Sequence, residues 1–144
     1  MANVIPDSFK TDLLKGTFNF DSSGGSTFKI ALYTDISGLT TSSTAFTTTN
    51  EVSTSGTSYS SGGNTLTNNG VAVGSNIAFV DFADLTFSSV TLSAVGALIY
   101  KSGGSNEAVL VLDFGGTKTA TNGDFVVQFP TASSSAAIIR LGNA

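Results

Sequence analysis

From Thr17 onward, large apolar side chains alternate with polar or small ones. Thr17-Phe18-Asn19-Phe20 and Thr27-Phe28-Lys29-Ile30-Ala31-Leu32-Tyr33 carry this pattern, and Asp21-Ser22-Ser23-Gly24-Gly25-Ser26 between them has the residue types of a hairpin turn. A period of two puts successive side chains on opposite faces of a strand, so the stretch predicts a half-buried β-hairpin. Further strands are predicted over 70–73, 77–82, 86–92, 95–101, 107–114, 124–129 and 136–141. Gly-rich runs such as Ser102-Gly103-Gly104-Ser105 and Thr121-Asn122-Gly123 are predicted as the turns between them. The expected fold class is all-β, an antiparallel β-sandwich or jelly-roll-like domain of about eight strands.

One stretch alone has helical spacing. Pro6-Asp7-Ser8 offers capping oxygens, Phe9, Leu13 and Leu14 recur on one side, and Gly16 supplies a stop, predicting a helix over residues 8–15. Two turns are marginal in isolation and must pack against something. The helix is expected to be a lid over one end of the sandwich or, as the sharper alternative, a docking arm for a neighbouring subunit. Residues 1–16 are therefore an arm, and residues 17–144 a single domain.

Ala97-Leu98-Ile99-Tyr100 and Ala108-Val109-Leu110-Val111-Leu112 are apolar on both faces, so each needs cover on its outer side. The N-terminal helix, the long loop 36–63 and a second copy of the chain are the candidates. Within that loop Glu51 is the sole ionisable group apart from Tyr59, and there is no proline. A long structureless connection is uncommon in a compact domain unless it is functional or packed by its own side chains. Its tandem Ser and Thr residues suit a low-complexity linker, but Phe46, Val52 and Tyr59 are spaced as anchors and predict an ordered loop with short β segments.

Composition narrows the chemistry. With 144 residues the chain is long enough for one domain with a buried core. Charged residues make up 11%, so solubility rests on hydroxyls, amides and glycine backbone. The net charge is -4 and the pI about 4.3, and Lys10, Lys15, Lys29, Lys101, Lys118 and Arg140 are scattered, which argues against nucleic acid as a partner. There is no histidine and no cysteine, which removes imidazole acid-base chemistry, thiolate zinc sites, disulfides and the usual nucleophile-histidine triads. No catalytic residue, cofactor or metal is assigned. Asp81, Asp84 and Asp113 stand near strand ends and are the residues from which a glycosidase pair or a Ca²⁺ site would be built. Aspartate at such positions more often caps a turn or blunts an edge, and that reading is preferred.

The pairs Gly24-Gly25, Gly62-Gly63, Gly103-Gly104 and Gly115-Gly116 lack the Lys-Ser/Thr of a phosphate loop and are expected to be turns. Carbohydrate recognition would use Tyr33, Tyr59 and the Ser/Thr loop. No apolar h-region follows a basic start, so a secretory signal is not expected. The uncharged segment 85–100 is too short and too interrupted for a membrane helix, and no membrane partner is expected.

Several segments together resemble small structural proteins of tailed-bacteriophage virions. They are Ala31-Leu32-Tyr33-Thr34 through Thr44 to Glu51-Val52, Tyr59-Ser60-Ser61-Gly62-Gly63, Gly96-Ala97-Leu98-Ile99-Tyr100, Val109 to Phe114-Gly115-Gly116, Phe125-Val126-Val127-Gln128-Phe129-Pro130 and Ile138-Ile139-Arg140-Leu141. The similarity spans nearly the whole chain, and the order and spacing of the segments carry it. Thr86-Phe87-Ser88, where Trp is common, and Ala94-Val95, where a basic residue often follows Ala, depart from the pattern. The resemblance implies a capsid decoration or cement protein on the outer surface of the virion head, made in the host cytoplasm. Its expected partners are the major capsid protein and other copies of itself in a homo-oligomer, with a trimer the implied form. Pro6, Phe9, Leu13, Leu14, Phe46, Glu51 and Tyr59 are the expected docking residues. The rival reading is a tail-tip or fibre-associated adhesin that binds a host surface glycan.

Overall fold

The computed structural model describes residues 3–143, so Met1 and Ala2 of the expected arm and Ala144 lie outside the described residues. One helix, α1 (Asp7–Leu14), precedes seven described strands: β1 (Phe28–Tyr33), β2 (Asn64–Thr65), β3 (Asn68–Gly74), β4 (Ile77–Phe82), β5 (Leu85–Lys101), β6 (Ala108–Val127) and β7 (Ile139–Leu141). They form two antiparallel sheets, ordered β2-β1-β5-β6 and β3-β4-β7. The chain is thus mostly β, as the alternating pattern predicts. No described helix is long and apolar enough to cross a membrane.

Three expectations need correction. Thr17–Phe20 is not a strand, because both edges of β1 are already occupied by β2 and β5. The predicted turn still closes, with the Ser26 N–H donating to the Asn19 carbonyl at 2.8 Å and the Asn19 N–H to Ser26 Oγ at 3.0 Å. Freed from a ladder, the segment drops Phe18 and Phe20 into the core.

Second, the stretches expected as separate strands at 86–92 and 95–101 are one continuous β5, and those at 107–114 and 124–129 are one continuous β6. Third, the presumed turns Gly115-Gly116 and Thr121-Asn122-Gly123 lie inside β6, where they are bulges. Gly96 pairs with Asp113 and Ala94 with Lys118, so the residues from Phe114 to Thr117 share the space opposite Val95. Gly115 and Gly116 have φ of 75° and 142°, values that L side chains rarely adopt. A second bulge places Thr121 and Asn122 against Thr91, since Val90 pairs with Gly123 and Leu92 with Ala120. Such insertions bend and twist a ribbon and let these two long strands curve around a core.

α1 runs one residue ahead of the predicted span. Pro6 occupies the N-cap position with no side-chain cap bond, and the oxygens expected to cap are used elsewhere: Asp7 Oδ1 accepts from Lys10 Nζ at 2.8 Å, and Ser8 Oγ donates to the Ser43 carbonyl at 3.0 Å. Gly16, at φ 80°, ends the helix as predicted.

Both sheets and the helix feed one apolar core. A line of phenyl rings crosses it: Phe9 lies 4.9 Å from Phe18, Phe20 stacks on Phe28 at 4.6 Å, Phe28 meets Phe82 at 5.7 Å, and Phe82 meets Phe129 at 5.7 Å. Offset and edge-on contacts of this kind add to the burial of ring area. They join α1, the larger sheet and the smaller sheet into one body.

The doubly apolar strands are covered by the chain itself. Ala97, Ile99, Leu110 and Leu112 join this core, whereas Leu98, Tyr100, Ala108 and Val111 belong to a second cluster on the opposite face. There Ile36, Leu39 and Phe46 of the long loop, with Val4 of the arm, close over Ala31 and Tyr33. Of the three candidate covers the loop serves, and Val4, ahead of the helix, takes the place expected of α1, whose Phe9 and Leu13 pack on the first core instead.

Candidate functional site: a loop clamped by three tyrosines

The long loop is held against β1 by a polar network that uses all three tyrosines of the chain. Backbone pairing starts it: the Thr34 N–H donates to Asn50 O and the Val52 N–H to Leu32 O, each at 2.9 Å. This lays Glu51 beside Tyr33 and turns its carboxylate toward Tyr59-Ser60-Ser61-Gly62. Glu51 Oε1 accepts from the Tyr59 hydroxyl at 2.8 Å and from the Gly62 N–H at 2.6 Å, while Oε2 accepts from Ser61 Oγ at 2.8 Å. The Tyr59 hydroxyl in turn accepts the Leu32 N–H at 3.0 Å. Tyr100 donates to the Gly62 carbonyl at 2.7 Å, and Tyr33 to the Thr47 carbonyl at 2.6 Å.

Each bond has the geometry of a strong hydrogen bond, and those to the carboxylate are charge-assisted. Burial pushes the phenols of Tyr33, Tyr59 and Tyr100 above their ordinary value of 10.0, and the negative charge of Glu51 pushes them further. The tyrosines are held as neutral donors. Gly63 completes the close approach: at φ 72°, any Cβ there would overlap the carbonyl of Ile30.

The residues expected to dock sort into two groups. Pro6, Phe9 and Tyr59 are buried, and Leu13 and Phe46 are half-buried and packed on the two clusters. Phe46 stacks on Tyr100 with ring centroids 4.7 Å apart. Glu51 is half-buried within the clamp. Leu14, at 85% exposure, is the member that presents an apolar side chain to solvent. Around the clamp the exposed surface is hydroxyl and amide: Thr48, Thr49, Asn50, Ser53, Thr54, Ser55, Ser60 and Ser61.

The three aspartates do not form one constellation. Asp84 Oδ1 accepts the Phe129 N–H at 2.7 Å, tying the chain after β6 to the β4–β5 turn. Asp113 accepts the Gly115 N–H at 2.8 Å and shapes the bulge. It shares a shallow cavity of about 390 Å³ with Asp35, whose carboxylate accepts the Ser37 N–H at 2.8 Å. Hydrogen bonds from Gly115 and Ser37 hold these two carboxyls below the usual range. Asp81 is 1% exposed. Its Oδ1 accepts the Phe82 N–H at 2.9 Å, whereas Oδ2 has no hydrogen-bond partner among the described residues. Burial raises its pKa, the Phe82 and Ile138 N–H groups draw it down, and the charge of Asp84 raises it. Among the described residues no group of three or more acidic side chains is gathered to hold a metal ion.

A second feature is an open groove of about 620 Å³ along β6, lined by the apolar Phe114, Phe125, Val127, Phe129 and Ile138 and by the polar Asp113, Lys118, Thr119, Asp124 and Gln128. Tyr100 and this groove were not among the expected functional features. A usable signal for Tyr100 was present, since a buried phenol needs a polar partner and Glu51 is the loop's lone carboxylate. No protein-family model, curated protein or solved structure matches the chain.

Proposed function

We propose that this chain is a structural subunit of a tailed-phage virion, a decoration or cement protein made in the host cytoplasm that binds the outside of the head and clamps neighbouring capsomers. Its partners in this reading are the major capsid protein and further copies of itself, and its two sheets form a β-sandwich of jelly-roll type. The resemblance of the loop, β5 and β6 segments motivates the assignment. The observation that carries it is the clamped loop. A long run of hydroxyl and amide residues is fixed in one conformation by Glu51 and three tyrosines, so its surface is ordered before any partner arrives. Preorganisation reduces the ordering entropy lost on docking and suits a part that must fit a repeating lattice.

In this mechanism the subunit binds the closed shell better than free capsomers, and mass action then stabilises the closed form. Exposed Leu14 and the Ser/Thr surface of the loop supply the contacts, and the buried members of the expected docking set hold those contacts in place. The test is co-sedimentation of purified protein with empty heads of the phage that encodes it, together with the melting temperature of the heads. Saturable binding and a raised melting temperature are expected. Failure to bind heads, with binding of the free protein to host cells, identifies the glycan-binding adhesin instead.

A further inference from the structure

Sheet edges are where one β protein pairs with another, and natural chains blunt them with short strands, bulges, proline or charge. The four edge strands here are β2, β6, β3 and β7. β2 has two residues and β7 three, and β3 is broken by an irregular register between Asn68 and Val71. β6 has twenty. The start of its outer edge is already taken, with the Val4 N–H donating to Val111 O at 2.9 Å and the Val111 N–H to Val4 O at 2.8 Å. The Gly115-Gly116 bulge and Lys118 disrupt its middle. Its last part and the residue that follows, Asp124 to Gln128, carry no proline and no lysine. Leu85, Thr86 and Phe87 pair there with Val127, Val126 and Phe125 in regular register. No strand pairs with the outer side of this part among the described residues.

The groove shows that this edge is reachable. Every residue from Asp124 to Pro130 lines it, and because successive side chains point to opposite faces, a cavity touching all of them runs along the strand's edge. Val126 stands 49% exposed at its centre.

We propose that the end of β6 with the residue after it, Asp124 to Gln128, pairs antiparallel with the same segment of a second copy of this chain, about a two-fold axis through Val126. That register sets Val126 against its counterpart, Phe125 against Val127, and Asp124 against Gln128 of the second copy. Like charges do not meet: the carboxylate faces a carboxamide that can donate to it, and the other opposed pairs are apolar. A two-fold, isologous contact of this kind closes on itself and leaves no further copy of this segment to recruit. The paired segment is roughly 16 Å long at about 3.3 Å per residue. A contact so short falls below the roughly 800 Å² per partner of a stable interface, so the dimer is concentration-dependent. The pairing specifies the self-association in the proposed function and rests on that reading only for its role on a shell.

Sedimentation equilibrium of the free, full chain tests it. The wild-type mass is expected to rise from monomer toward dimer with concentration. Val126→Lys and Val126→Asp, each folded by circular dichroism, should weaken self-association at least tenfold, and an equimolar mixture of the two should recover a heterodimer. A wild type that stays monomeric throughout, a Val126→Lys protein that associates like wild type, a three-fold assembly, or folded variants that fail to complement would each overturn the pairing. Co-sedimentation with heads is read separately. A monomer that binds heads sinks this pairing alone, and a dimer that ignores heads sinks the shell reading alone.

Discussion

Glu51 accepts three hydrogen bonds, and two of the donors, the Tyr59 hydroxyl and the Gly62 N–H, lose their partner together if it is truncated. Leaving a buried donor unsatisfied costs about 1–3 kcal/mol. Glu51→Ala is therefore expected to lose about 2 kcal/mol in urea denaturation. Tyr59→Phe also strands the Leu32 N–H and is expected to lose a similar amount, with the double variant losing less than the two separate losses combined because the groups act as a unit. The tyrosines also fix the alkaline limit. Their folded pKa values lie above 10.0, so the unfolded chain releases its phenolic protons first as pH rises. The stabilisation is full below about pH 10 and is lost above it. Ultraviolet titration should show no tyrosinate with an ordinary midpoint, and its appearance should coincide with unfolding. Asp81 has a raised pKa too, so stability is lost as pH rises from the ordinary carboxylate value through the folded one, where the buried side chain must carry its charge. The stability of Asp81→Asn relative to wild type is expected to increase from about pH 3 to about pH 7, and a difference that does not change with pH would contradict the assignment.

At the scale of elements, α1 is a test of packing against exposure. Phe9 is buried between Phe18 and Phe20, and Leu14, one and a half turns on, stands in solvent. Phe9→Ala is expected to cost about 3–5 kcal/mol, whereas Leu14→Ser should change stability by less than about 0.5 kcal/mol. If Leu14 docks on the shell, Leu14→Ser will nonetheless weaken binding to heads.

The elements also show what was readable in the sequence. Alternation in the sequence located β1 and the far ends of β5 and β6, whereas β4 and the halves of β5 and β6 nearest their connection were visible as apolar runs, the latter buried on both faces. It misplaced the breaks, since Gly115-Gly116 and Asn122-Gly123 have the residue types of turns, and a bulge uses the same positive φ as a turn. Thr17–Phe20 alternates correctly and buries its phenyls, yet whether a segment joins a ladder depends on which edges are free, and that is a property of topology. The anchors Phe46, Val52 and Tyr59 were visible as isolated large residues in a polar run, and all three pack inward. Their partners Tyr33 and Tyr100 lie on strands remote in sequence, so the clamp as a network was not visible.

For the whole molecule, two sheets and a helix share one core, and the chain covers the second face of its own central strands with the loop and Val4. Apolar strands therefore give no reason for an oligomer, and the proposed self-association rests on the open end of β6 alone. What the body offers a partner is a rigid hydroxyl surface, an exposed Leu14 and a strand edge. Under the proposed function these are the surfaces that would meet the shell. Cryo-electron microscopy of the intact virion is the decisive experiment for the proposed role. Density matching this fold is expected at regular lattice positions on the outside of the head, with loop 36–63 against the shell. The same fold found only at the tail, or nowhere on the particle, would contradict it.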